Sequence, residues 1–141
     1  MRPSWRRIAS FLARPSNHST GEVKNVSLLK QFSTRGLGEG VSSRPSESNV
    51  LEGNPQFTAW PSQEEPVQVG VWAATPGLHR VRRDATTWEQ FYVLEGEIEI
   101  TEEGHQPRRF TAGDVVIIEP NFRGTWRTIA PVKKLYVSVQ L

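Results

Sequence analysis

The chain has 141 residues, enough for one domain of ordinary size, and no cysteine, which excludes disulfides, thiolate metal sites and cysteine nucleophiles. No apolar run approaches the roughly 18 to 20 residues of a membrane-spanning helix, so the sequence reads as soluble with no membrane partner. The net charge of +2 is unevenly placed: residues 1–50 hold eight Lys or Arg against three Glu, and residues 51–141 hold nine against twelve Asp or Glu. The basic excess therefore lies outside the expected domain, and no basic groove with interleaved aromatics marks a nucleic-acid partner.

The chain opens on MRPSWRRIASFLARPSNHSTG, which carries Arg2, Arg6, Arg7 and Arg14 with no acid before Glu22. Trp5, Ile8, Phe11 and Leu12 recur at helical spacing, the look of an organelle transit peptide. The apolar core IASFLA is shorter than the roughly 7 to 15 residues of an export signal, which argues against secretion. Two readings stay open: a transit peptide at residues 1–21, or an extension with no targeting role. Location follows from that choice, cytoplasmic in the second case and an organelle in the first. Residues 33–49, STRGLGEGVSSRPSESN, lack large apolar side chains to offset their ordering entropy, so they read as a linker. The expected division is an irregular extension over 1–49 and a domain over 50–141.

From Val67 the pattern has a period of two. VQVGVW puts Val67, Val69 and Val71 on one face, and KKLYVSVQL puts Leu135, Val137 and Val139 on one face with Tyr136 and Ser138 on the other. Between them lie FYVLEGEIEIT, a turn at EEGH, and RRFTAGDVVIIEP with a turn at Gly113 and Asp114. Short strands separated by Gly and Pro turns predict an all-β antiparallel sandwich or barrel.

Two spacings carry a family resemblance. Gly77, Arg83, Ala85, Glu89 and Gly96 keep the spacing of the first cupin motif, whose second and third positions are ordinarily histidines. In GDVVIIEPNFRG the second motif places Gly113, then Glu119 at the proline position, Asn121 at the turn glycine and Gly124 at the histidine, with Pro120 displaced by one. Asn tolerates positive φ, so Asn121 can make that turn. The domain thus resembles the cupin superfamily, which implies a single antiparallel double-stranded β-helix, the jelly-roll cupin barrel. GNPQFTAW, GVWAATPG, AGDVVIIEPNFRGTW and APVKKLYV resemble, in order, the small cupins grouped with the (S)-ureidoglycine aminohydrolase cupin domain.

In metal-bearing cupins three histidines and a glutamate hold a divalent ion, and of these the resemblance leaves only Glu89. Arg83 stands at a histidine position, where a guanidinium at about 4 Å opposes a dication by roughly 8 kcal/mol at an effective dielectric near 20. Its charge favours a pair with Glu89 or capture of an anion. A solvated Arg83 in the loop before the strand is the alternative. Glu89 shares parity with Phe91 and Val93, so a barrel-facing carboxylate needs a partner. The expected ligand-binding set is Glu89, Arg83, Trp72, Phe91, Trp126 and Tyr136, with no cofactor. The alternative is a divalent transition metal on His79 and Glu89. Trp72, Trp88 and Trp126 read as core or interface, or as walls for a small amine or amide held against indole faces. His105 reads as a surface turn residue, and Glu97 with Glu99 as a solvated strand face.

Three functions stay open: a metal-free small-molecule-binding barrel, a hydrolase acting on a C–N bond of a ureido compound, and an interaction module with a filled barrel. FYVL and VVII are apolar on both faces, which points to a homodimer.

Overall fold

The computed structural model describes residues 26–62 and 66–141; the proposed leader at 1–21 lies outside them. The chain divides into two units, Met1–Lys30 and Gln31–Leu141. In the described part of the first unit, residues 26–30, there is no helix or strand, and the Leu29 amide donates to Ser27 Oγ at 3.2 Å. The second unit holds nine strands and no α-helix among the described residues.

In chain order these are β1 (Val41–Ser43), β2 (Val50–Gly53), β3 (Phe57–Pro61), β4 (Val67–Ala74), β5 (Gly77–Arg82), β6 (Thr87–Glu102), β7 (Arg108–Thr111), β8 (Val115–Ile118) and β9 (Arg123–Gln140). All pairings are antiparallel. Among the described residues strand structure begins at Val41, earlier than the expected Val50, because β1 finds an open edge and pairs Val41 with Ala59 and Ser43 with Phe57. Local composition does not reveal that partner.

Two long strands organise the sheet. β9 and β6 pair along most of their length, and both serve the two halves of the barrel. The carboxy-terminal half of β9 lies between β4 and the first half of β6, with β8 beyond. Its amino-terminal half lies between β5 and the second half of β6, with β7 beyond. The register shifts between Val93 and Ile98 bend β6 from one half to the other. Gly96 sits in that bend at φ +94, where a Cβ would run into the Pro131 carbonyl. Asn121 makes the β8–β9 turn at φ 67, as its residue type predicts. This curled antiparallel sheet is the jelly-roll barrel expected from the sequence.

The period-two pattern then decides which side chains meet. Phe91, Val93, Ile98, Val116, Ile118, Trp126 and Val132 form the buried core between the halves. On β4 and β9 the valines at 67, 69 and 71 register against Val139, Val137 and Leu135. The opposite face of these strands carries Gln68, Trp72, Lys134, Tyr136 and Ser138, all of which line a cavity. Outside the barrel, Tyr92, Val115 and Ile117 of β6 and β8 are exposed apolar side chains.

Candidate functional site

Glu89 lies near the start of β6, between Ser138 of β9 and Ile118 of β8. Its parity with Phe91 and Val93 turns the carboxylate inward, where only 6% of the residue is exposed. An ionised carboxylate at such a place needs compensating partners. Lys134 Nζ donates to Oε1 at 2.6 Å, and Arg83 Nη2 donates to Oε2 at 2.8 Å. Both carboxylate oxygens are thereby used, one by each cation.

Lys134 comes from β9, where it shares parity with Tyr136 and Ser138. The residue is 4% exposed. Its ammonium lies 4.4 Å from the centre of the Phe91 ring, 4.9 Å from Trp72, 4.9 Å from Trp126 and 5.9 Å from Tyr136. Aromatic faces attract a cation more strongly once it is desolvated, so the four rings complement the Glu89 bond. The chain itself thus supplies a cation to these aromatic faces, for which the sequence had left a small amine or amide ligand open as one alternative. Arg83 follows the end of β5, and its side chain is 29% exposed. The solvated alternative for Arg83 gives way to the ion pair, because the five residues of chain between it and Glu89 let the guanidinium fold back over the carboxylate.

The charges reinforce one another. Burial raises the Glu89 pKa, but Lys134 and then Arg83 outweigh it and hold the carboxyl below the usual carboxylate range. Burial also pulls the Lys134 ammonium below the ordinary lysine range; Glu89 opposes this and Arg83 adds to it. His79, 7% exposed, stacks near Trp126 at 6.4 Å and tilts against Phe57 at 5.0 Å. Burial, followed by the charges of Arg83 and Lys134, lowers its pKa to about 4. It is thus neutral at physiological pH, and its Nδ1 is buried with no protein partner.

A cavity of about 610 Å³ opens above this cluster. Glu89, Arg83, Trp72, Trp126 and Tyr136 of the expected set all line it, as does His79. Phe91 does not. It is 1% exposed and supports Trp126 and Lys134 from the core side. Trp88 has the opposite parity to Glu89, pairs with Val139 and does not line the cavity. His105 is exposed in its turn, and Arg109 bridges Glu97 and Glu99 at 3.3 and 3.2 Å on the surface. Lys134 was not among the residues singled out from the sequence, although its parity with Tyr136 pointed inward.

These residues do not fit a divalent ion. Ala85 is exposed in the loop after β5, and Gly124 has no room for a side chain, since a Cβ there would meet the Thr101 carbonyl. Glu89 is committed to two cations, whose charges also disfavour a metal beside His79. Among the described residues no group of three or more His, Cys, Asp or Glu could hold a metal.

A jelly-roll barrel with a polar cluster facing its cavity agrees with the cupin fold. The model of the EutQ-like cupin domain matches residues 61–136, and the chain belongs to that family. Solved structures share the fold at low identity, among them the following three. The putative ethanolamine utilization protein Q of Salmonella typhimurium LT2 is 23% identical over 60% of this chain and 69% of that one, with a TM-score of 0.53. The EutQ protein of Clostridium difficile is 15% identical over 72% and 88%, at 0.55. Ectoine synthase from P. lautus is 14% identical over 65% and 69%, also at 0.55. No curated protein matches the sequence. The expected grouping with the ureidoglycine aminohydrolase cupins, drawn from GNPQFTAW, GVWAATPG, AGDVVIIEPNFRGTW and APVKKLYV, is not supported by these matches.

Two predictions follow from the cluster. Glu89→Gln leaves a buried ammonium without its carboxylate and should cost about 3 to 5 kcal/mol in a urea melt. Combining it with Lys134→Met should restore more than half of that loss, because both buried charges disappear together; strictly additive costs would contradict the pairing. For His79 the sign runs through the unfolded chain, which takes up a proton near pH 6.5 while the folded form does so only near 4. Stability should therefore fall by about 3 kcal/mol as pH drops through that window, and His79→Gln should flatten the slope. Glu89 acts in a lower window, losing its contribution only as pH falls from about 4.5 through its depressed pKa.

Proposed function

We propose that the barrel is a metal-independent binding site for a small organic anion. The observation that carries this reading is the charge balance of the cavity. Arg80, Arg82, Arg83 and Lys134 border the cavity together with Asp84 and Glu89, four cations against two carboxylates, with His79 neutral; Arg80 and Arg82 are exposed at its rim, where Arg80 Nη1 donates to the Ser48 carbonyl at 2.8 Å. Asp84 is occupied by Thr86 and Thr87, whose amides donate to Oδ1 at 2.9 and 2.8 Å. Glu89 is occupied as described above. Among the described residues Arg83 has no side-chain partner other than Glu89, so its remaining N–H groups are free to receive a carboxylate in the forked geometry that guanidinium favours. Trp72, Trp126 and Tyr136 offer a flat apolar body its walls, and a volume near 610 Å³ suits a metabolite-sized ligand.

A hydrolase acting on a ureido C–N bond is less well supported. It requires a base that reaches an attacking water, and both oxygens of the Glu89 carboxylate are already taken by Lys134 and Arg83. The filled-barrel reading has one observation in its favour, since Lys134 occupies the centre of the aromatic cluster. The open cavity beside it favours a ligand.

A thermal-shift and calorimetric panel of small mono- and dicarboxylates tests the proposal. A ligand present at a hundred times its dissociation constant should add roughly 2.7 kcal/mol of stability. Binding should survive exhaustive dialysis against a chelator and weaken at least tenfold in Arg83→Met. A panel in which no anion shifts the melt, or binding that disappears with chelation, would contradict it.

A further inference from the structure

We infer that Lys134 is a covalent amine site, forming an iminium with a 2-oxo acid whose carboxylate is held by Arg83. The inference rests on the anion-binding reading and assigns its ligand a chemical class. Three features of the cavity lead to it.

The first is the amine itself. Lys134 lines the cavity from a buried position and has its proton acceptor already in place, with Glu89 Oε1 2.6 Å from Nζ. The second is the aromatic surround. An iminium carries the same single positive charge as the ammonium it replaces, so the rings of Trp72, Trp126 and Phe91 that hold one cation also hold the other. The third is His79, nine-tenths buried in the cavity wall with Nδ1 lacking any protein partner. A buried nitrogen in that state costs stability unless a ligand atom meets it. The oxygen of a bound oxo acid supplies such an atom.

The chemistry balances without an oxidant or a metal. Lys134 passes one proton to Glu89, and the neutral amine adds to the ketone or aldehyde carbon, forming the C–N bond and a carbinolamine. The nitrogen then loses its extra proton, the former carbonyl oxygen takes up two protons in all, one from that nitrogen and one from Glu89, and the C–O bond breaks to release water. The product is a protonated C=N bond beside an ionised Glu89. Burial assists the first step, because it lowers the cost of the neutral amine. Arg83 positions the substrate by its carboxylate, and Glu89 moves the proton.

The test is reductive trapping of the full chain with glyoxylate or pyruvate and cyanoborohydride, followed by intact mass and peptide mapping. The expected result is one saturable adduct per chain on the Lys134 peptide, absent in Lys134→Arg and retained in Lys133→Arg. Glu89→Gln should slow trapping by about a hundredfold, within the usual range for loss of a positioned base. Lactate, which has the carboxylate without the carbonyl, should protect Lys134. Because wild-type peptide mapping locates the adduct, the outcome does not depend on the variants folding. Adducts confined to Lys24, Lys30, Lys133 or the amino terminus overturn the inference. If lactate and pyruvate shift the melt but nothing traps at Lys134, the covalent step fails and the anion site stands. If neither occurs, both fail.

Discussion

Glu89 divides its two carboxylate oxygens between two cations, and the interior of the barrel is organised around that division. A single partner would leave half of a buried carboxylate unsatisfied, at a cost comparable to much of a small domain's stability. Lys134 and Arg83 approach from different strands, so meeting them both fixes β9 and the end of β5 relative to β6. Arg83 stays near the cavity mouth, while Lys134 lines the cavity from a deeper position among aromatic rings. The result is an internal cation held against the Glu89 carboxylate by the chain's own lysine.

The surrounding backbone is shaped to admit this arrangement. Gly70 faces the Tyr136 ring, and a Cβ there would collide with the phenol. Gly124 is pressed against the Thr101 carbonyl, which closes the site where the second motif would otherwise project a histidine. Gly96 allows β6 to turn from one half of the barrel to the other while staying paired with β9. These glycines act through what their missing side chains leave room for, or through a backbone angle, rather than through contacts of their own. Trp126 links the parts: its Nε1–H is satisfied by Thr128 at 3.0 Å, and its ring touches Trp72, Phe91 and His79 as well as the Lys134 ammonium.

Much of the fold was legible because it depends on local periodicity. The alternation in VQVGVW and KKLYVSVQL, the turns at Gly104, Gly113 and Asn121, and the inward parity of Glu89, Phe91 and Val93 are all properties of short segments. The pairing of Arg83 with Glu89 was one of two readings that their motif spacing left open, the other being a solvated Arg83. Lys134 was not. Two adjacent lysines in a strand look like surface charge, and the carboxylate that accepts Lys134 lies 45 residues away, brought near only by the pairing of β6 with β9. The early strand Val41–Ser43 was missed for a related reason, because its stability comes from the β3 edge rather than from its own residues. Phe91 was placed on the correct face, but periodicity does not separate a wall residue from one packed behind the wall.

The central claim, that a buried lysine ammonium is the resident cation of this barrel, is open to direct observation by NMR of protein labelled in its four lysines. The account predicts one side chain whose Hε and Nζ signals are displaced by ring currents. Its ammonium protons should exchange slowly enough to be seen near neutral pH, and the set should be unchanged by chelator and missing in Lys134→Met. Four lysines with free-chain shifts and rapid solvent exchange would contradict it.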